Sequence, residues 1–379
     1  SWAADKDGKN SSPKGFEFVP GYVASELDNN TPEYYSDIAV FADNRIPSSY
    51  PDNMEEFKSK YPKLRDQGSY GTCWAFSSIG LAEFDLINDG IKNADVDLSE
   101  LQLAYFTYNS VVDPLGGTKG DYAKYNNDVA SENYLNAGGN YEMSLRRLSQ
   151  WVGTVNESIV PYSKADDSIS NGIDSSYAYG YDTAHLKNAY RINIKTQPDA
   201  VKEQIMEHGA VGIMYSHSYD GCNYLNDSYY DTSSMNGYGH AVMVVGWNDD
   251  YSKDNFKNGT KPANNGAWLV RNSWGEGSSF DYFWMSYETY SLKDAAWVFD
   301  MSAVDEYDNN YQLDGSLETG IDQYYTQAAN VFTVEEKANV ESETLKAVSL
   351  SFLKTADVEY TVEVYTDLKD KYNPASGTK

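Results

Sequence analysis

The sequence predicts an α+β chain of two lobes followed by a β-rich region. Three observations predict it. Between residues 46 and 290 a helical stretch precedes a strand-rich one. From about Ser291 onward the apolar residues fall at period two, as in Phe332 and Val334, Leu345–Leu353 and Val358–Tyr365. Residues 1–45 are instead rich in Asn, Ser, Asp, Gly and Pro, with one apolar patch at Phe16–Val23. A length of 379 residues suits about two or three domains. The expected division is a leader or pro-segment remnant over 1–45, a main domain over 46–290, and a β accessory domain over 291–379.

The helical lobe rests on two segments. One begins at Cys73 and runs through Ala75, Phe76, Ile79, Leu81, Phe84 and Ile87 until Asn88-Asp89-Gly90 stops it. Its apolar density predicts a buried helix. The other starts after Ser99, with Gln102 three residues on as a capping box. The second lobe rests on short apolar runs, Ala241–Trp247, Ala267–Arg271 and Trp284–Tyr287, read as buried strands. A helical half against a stranded half leaves a cleft between them.

Charge narrows the function. A formal charge of -28 and a pI near 4.3 exclude the basic footprint that nucleic acid requires, and docking on an anionic membrane. No apolar run reaches the ~20 residues of a membrane span, and no signal-peptide core opens the chain, so it reads as a mature or trimmed form. Tyr is abundant at 34 against 13 Phe, which suits strand faces and clefts with wet edges. The two cysteines, Cys73 and Cys222, allow one bridge at most.

The surroundings of Cys73 point to chemistry instead. Asp66-Gln67-Gly68-Ser69-Tyr70-Gly71-Thr72-Cys73-Trp74 delivers a thiol from a glycine-containing turn to a helix N-terminus. Unpaired N–H groups and partial positive charge there favour thiolate. The Cys73 N–H and the Gln67 amide are candidate oxyanion donors. Of the four histidines, His240 alone opens a strand. Asn272 follows another short strand, and its amide oxygen can orient one ring nitrogen of His240, leaving the other for Cys73. Trp274 is placed to cover that hydrogen bond. His185, His208 and His217 form no ligand spacing, so neither a metal nor a cofactor is expected. Cys222, in Gly221-Cys222-Asn223, reads as a structural loop thiol.

These three segments, in this order, resemble the papain family of cysteine peptidases, over Ile46-Pro47 to about Tyr287. The resemblance implies a helical left lobe and a β-barrel-like right lobe. It implies Cys73 as nucleophile, His240 as general base and acid, Asn272 as its orienter and Gln67 as oxyanion donor. Trp74 and Trp274 are expected as supporting residues. Gly138-Gly139, before Asn140 and Tyr141, resembles the glycine pair whose backbone binds an extended substrate; Met214 and Ala241 fall where the main side-chain pocket would be lined. Pro161-Tyr162 is a further, structural landmark.

Departures from the family are specific. Tyr70 and Asn136 stand where members usually carry a disulfide, a paired loss that suits a Gram-positive bacterial exported protein. The stretch 248–266 is long, and its Asp249, Asp250, Asp254 and Asn255 raise calcium, against which stands the reading as a solvated hairpin tip. Ser278-Ser279-Phe280 replaces a later tryptophan. Residues 1–45 lack the long helical pattern of the usual inhibitory pro-segment; they are read as a remnant or as a strand docking on the accessory domain.

In the last region, Tyr307–Tyr311, Ala328-Ala329-Asn330-Val331-Phe332 and Leu345-Lys346-Ala347-Val348 resemble the start of a lectin-like β-sandwich found after such peptidases in some bacterial surface proteins. The alternative is an untyped β domain. Asn373-Pro374-Ala375-Ser376-Gly377 reads as a turn between strands, so the sandwich is expected to be completed by a further segment of the chain. The function implied is a secreted or cell-surface cysteine endopeptidase acting on proteins or peptides. Glycan or cell-wall contact would run through the C-terminal domain, with no nucleic acid and no membrane insertion. An aminopeptidase, and a surface adhesin with an incidental peptidase fold, are the competing functions.

Overall fold

A computed structural model describes residues 21–23, 25–29, 31, 46–116, 122–123, 133–233, 237–312, 327–334, 338, 340–350 and 359–379. Six helices occur among them: α1 (Met54–Lys60), α2 (Cys73–Asn88), α3 (Glu100–Tyr108), α4 (Tyr141–Ser149), α5 (Ala165–Asn171) and α6 (Pro198–His208). The strands are β1 (Ser49–Tyr50), β2 (Ala184–Asn193), β3 (Val211–His217), β4 (Cys222–Asn223), β5 (Ser228–Tyr229), β6 (Tyr238–Asn248), β7 (Ala267–Arg271), β8 (Tyr282–Ser286) and β9 (Ala295–Ala303).

Helix α2 is buried from Cys73 to Leu86, as its apolar density predicts. Helix α3 has Ser99 at its N-cap, where the hydroxyl accepts from Gln102 N at 3.0 Å. The reciprocal half of the capping box does not form, because Ser99 N donates to Val155 O instead, at 2.9 Å. The strands make one mixed sheet in the order β2-β9-β3-β6-β7-β8-β5-β4, with β1 pairing β6. Only β5 and β8 run parallel; the other ladders are antiparallel. The pairing path begins at β2 and ends at β4, so the expected barrel-like lobe is an open sheet among the described residues. One core packs α2, α3 and α4 onto β6 and β9; a second packs α6 and the far side of the strands. Those two cores are the two lobes.

The expected boundary at 290 is corrected. Strand β9 pairs with β2 from Ala184↔Ala303 to Asn193↔Ala295 and touches β3 at Gly212↔Trp297. Its run Ala295-Ala296-Trp297-Val298-Phe299 is wholly buried, and such a strand is stable only inside a covered sheet. The main domain therefore extends through Ala303.

Beyond β9 the described chain has little regular structure: a 3-10 turn at Pro374–Ser376 and a β-bridge between Thr366 and Thr378. Tyr311 OH donates to Glu343 Oε2 at 2.7 Å and its ring meets Phe332. Phe332, Val334, Leu345, Val362 and Val364 stand exposed. No ladder of a β-sandwich is present among these residues; the predicted runs at 351–353 and 358, and Phe16–Pro20 of the leader patch, lie outside the described residues. Among the described residues no helix is long and apolar enough to cross a membrane.

Candidate active site

Cys73 is the first residue of α2, and Thr72 caps it without a side-chain bond because its Oγ1 pairs with Tyr162 OH at 2.7 Å. The thiol is fully buried, and Ala241 N donates to its Sγ at 3.4 Å. Burial pushes the thiol up to about 12, against the pull of N–H donors from Ala241, Trp74 and Cys73 itself. His240, also fully buried, lies on β6 opposite Tyr215 of β3. Its Nε2 meets Asn272 Oδ1 at 2.8 Å. That bond leaves Nδ1 as the nitrogen for a proton partner. Burial holds the imidazole down near 4, opposed by the Asn272 hydrogen bond. Both shifts run against charge separation while the pair is buried.

Asn272 is fixed in turn. Its Nδ2 donates to Phe280 O at 3.0 Å, and its Oδ1 also accepts from Ser273 N at 2.9 Å. Trp274 stacks on His240 with centroids 5.1 Å apart and planes 17° apart. Gln67 is held to the same segment: its N donates to Ser273 O at 2.9 Å, and its Oε1 accepts from Ser273 Oγ at 2.6 Å. Its Nε2 donates to Tyr70 O at 2.8 Å, which commits one of two amide hydrogens and leaves one for an oxyanion.

The structure thus brings Gln67, Cys73, His240 and Asn272 together, along with Trp274. A family profile described as papain family cysteine protease matches residues 50–297. The chain belongs to the papain family of cysteine proteases. Curated relatives include a cysteine protease of Blomia tropicalis, 25% identical over 60% of this chain and 59% of that one. Cathepsin S of Bos taurus is 26% identical over 63% of this chain and 64% of its own. This chain thus spans about three fifths of their length. Among solved structures, the cysteine protease and lectin-like domains of Cwp84, a surface layer associated protein of Clostridium difficile, align with a TM-score of 0.56. That alignment is 29% identical and covers 69% of this chain and 53% of that one. A second structure, clostridial Cwp84 after propeptide cleavage, gives 0.57 and 29%, covering 70% and 62%.

Within this papain-like framework the expected glycine pair binds the chain's own leader. Gly139 N donates to Gly21 O at 3.2 Å and Val23 N to Gly139 O at 2.8 Å, a parallel bridge between Tyr22 and Gly139. Gly138 takes φ +74°, and a methyl on Gly139 would stand 2.3 Å from the Trp74 ring, so neither position accepts a side chain. Asn140 caps α4 through Met143 N at 2.8 Å and also donates to Val23 O at 3.0 Å. Tyr141 departs from the expectation of a substrate contact. It is wholly buried, with its hydroxyl on Val242 O at 2.8 Å, because the first turn of α4 faces the sheet. Met214 and Ala241 are register partners, and a methyl on Gly239 would meet both Met214 Cε and Tyr22 Cβ at 3.4 Å. Tyr22 therefore sits where the side-chain pocket was expected. Its hydroxyl bonds Asp28, whose Oδ1 accepts from Trp297 Nε1 at 3.0 Å. Arg191 Nη1 holds Leu27 O at 2.6 Å. The described part of the leader, around residues 21–28, docks on the main domain.

Asn136 Oδ1 accepts from Gly71 N at 3.4 Å, so a hydrogen bond joins these two loops, and both cysteines are free. In the 248–266 stretch, Asp249 holds Lys202 and Tyr287 while Asp254 holds Lys261. These acids are spent on separate partners. The His–Asn connection is a hairpin tip.

Sequence reasoning missed the clamp beneath the site. Arg65 reaches Glu83 at 2.7 Å, Asp97 at 2.8 Å and Glu100 at 2.9 Å. Its carbonyl accepts from Gly275 N at 3.0 Å, and Asp66 bridges Trp274. Tyr162 OH donates to Gln67 O at 2.9 Å. An isolated arginine carries no local signal, whereas Ser273 lay inside the Asn-Ser-Trp-Gly phrase and was readable from it.

Proposed function

We propose that this chain is a cysteine endopeptidase, secreted or held at a bacterial cell surface, kept closed by residues 21–28 until they leave the cleft. The observation that carries the reading is the His240–Asn272 bond under Trp274, in a chain whose Cys73 opens a buried helix beside Gln67. With the leader gone, water reaches the cleft and the desolvation that disfavours charge on both groups is relieved. The thiol proton passes to His240, and the thiolate attacks the scissile carbonyl carbon. The Cys73 N–H and the remaining Gln67 amide hydrogen take the oxyanion, each worth about 3–4 kcal/mol in comparable sites. The imidazolium protonates the leaving amine as the C–N bond breaks, leaving a thioester. His240 then takes a proton from water, whose oxygen attacks the thioester and frees Cys73.

The leader supports the closed reading because it uses the Gly139 backbone that an extended peptide would need. It also parallels the clostridial relative, a cysteine protease whose structure follows propeptide cleavage. Export is supported by that relative's surface-layer association and by the charge of -28. Glycan or cell-wall contact is proposed for the region after Ala303, from the resemblance to a lectin-like domain. The test is cleavage of internally quenched peptides by the parent and by Cys73→Ala, each after its leader is cleaved. Cleavage by the parent alone supports the reading; cleavage by neither, or by both equally, overturns it.

A further inference from the structure

We propose that His217 is a positioning residue for His240: a neutral ring that accepts the Tyr215 hydroxyl and braces Tyr215 and Trp274 around the catalytic imidazole. The inference rests on the protease reading above.

Three rings surround His240. Trp274 lies at 5.1 Å, Tyr215 at 5.8 Å and His217 at 6.1 Å between centroids. On β3, Tyr215 stands opposite His240 and His217 opposite Tyr238; alternation puts Tyr215 and His217 on one face. The His217 ring meets Trp274 edge-on, at 5.1 Å and 88°, and lies over Tyr229 at 5.6 Å and 23°. His217 therefore supports the ring that covers the His240–Asn272 bond.

The tautomer follows from the partners. Tyr215 OH lies 2.7 Å from His217 Nδ1, and Cys222 Sγ lies 3.9 Å from Nε2. A phenol donates readily, so Nδ1 accepts and Nε2 carries the hydrogen, directed at the sulfur. That ring is neutral. Neutrality matters because His240 must become cationic during turnover, and a second cation 6.1 Å away in buried surroundings would oppose it. The groups facing His217 include Tyr215 on its own strand, Tyr219 and Cys222 from the next turn, Tyr229 from β5, His240 from β6, Trp274 and Phe280. Behind Tyr229, Asp231 Oδ2 accepts that phenol at 2.8 Å. Burial, and then repulsion from His240, hold His217 down near 3, in the same direction as the geometry.

The test uses the full chain with its leader cleaved, as parent, His217→Phe, Tyr215→Phe and the double variant. Two readouts are taken: kcat per alkylation-titrated site, and the pH dependence of Cys73 alkylation. The second needs no peptide substrate, so failure of the protease reading and failure of this inference are distinguishable. Expected is an about tenfold fall in kcat with KM within about twofold, and a rise of about one unit in the pH where alkylation begins. The loss should be the same in both single variants and no greater in the double one. A purely structural role would lower the titratable fraction and leave both readouts at parent values, overturning the proposal. Additive losses in the double variant would also overturn it.

Discussion

Replacing Gly21 with Val should open the cleft of the intact chain. A Cβ at Gly21 would lie 2.5 Å from Cys73 Sγ, 2.9 Å from Gly71 C and 3.1 Å from Gly71 O. Two of those three neighbours are backbone of the turn before α2, so relief must come from the leader moving by about an ångström. Such a shift strains the Gly139 N–Gly21 O and Val23 N–Gly139 O bonds, worth about 1 kcal/mol each. Overpacking adds about 1–3 kcal/mol. The sum, about 3–5 kcal/mol, moves the closed–open equilibrium by roughly a hundredfold to several thousandfold. The assay is initial alkylation of Cys73 at pH 7 in chains whose leader is uncleaved, with peptide mapping to separate it from Cys222. The variant should react at least about a hundredfold faster than the parent. Equal rates, with circular dichroism showing both folded, would refute the leader as the barrier.

Three other substitutions test the parts around it. Asn272→Ala removes the acceptor of His240 Nε2; with about 1.5–3 kcal/mol for a bond to a group that becomes charged, kcat/KM should fall about 10- to 100-fold. Arg65→Met leaves the buried Glu83 and Glu100 without their cation; a loss of about 3–5 kcal/mol should appear in urea unfolding. Burial pushes Glu83 up to about 7 and Glu157 up to about 8. Because both folded values exceed the ordinary 4.5, their contribution is fully present below about pH 4.5 and is lost as pH rises through 7 and 8. Glu157→Gln should therefore raise Tm over the parent at pH 9 and not at pH 4.

What the sequence disclosed and what it hid divide by range of interaction. Cys73, His240, Asn272 and Gln67 were readable because each sits in a local phrase that fixes its backbone: a turn into a helix, a strand start, a strand end. Strand β9 was misassigned because its apolar run says only that it is buried; its partner β2 lies far back in the chain, and nothing local encodes that pairing. Tyr141 was read as a cleft residue from its place after the glycine pair, but helical geometry turns that position inward. The leader's docking gave no periodic signal, since it is held by a two-bond bridge and by the Asp28 carboxylate under Trp297. Phe280 filled a place where a tryptophan was missed, and its contribution to Asn272 is a carbonyl, which any residue supplies.

The division of the site between lobes explains why the clamp beneath it matters. Cys73 belongs to the helical lobe, whereas His240 stands on β6 and Asn272 directly after β7 in the other. Proton transfer between them needs placement within a few tenths of an ångström. The covalent chain alone does not enforce that, but Gln67 and Arg65 join their backbone to Ser273 and Gly275 beside Asn272. Arg65 is itself tied to Glu83 of α2, the helix that carries Cys73. One arginine thus fixes the helix that carries Cys73 to the segment that holds Asn272. Arg65→Met should then lower kcat in the molecules that remain folded, as well as stability, and kcat per titrated site separates the two effects.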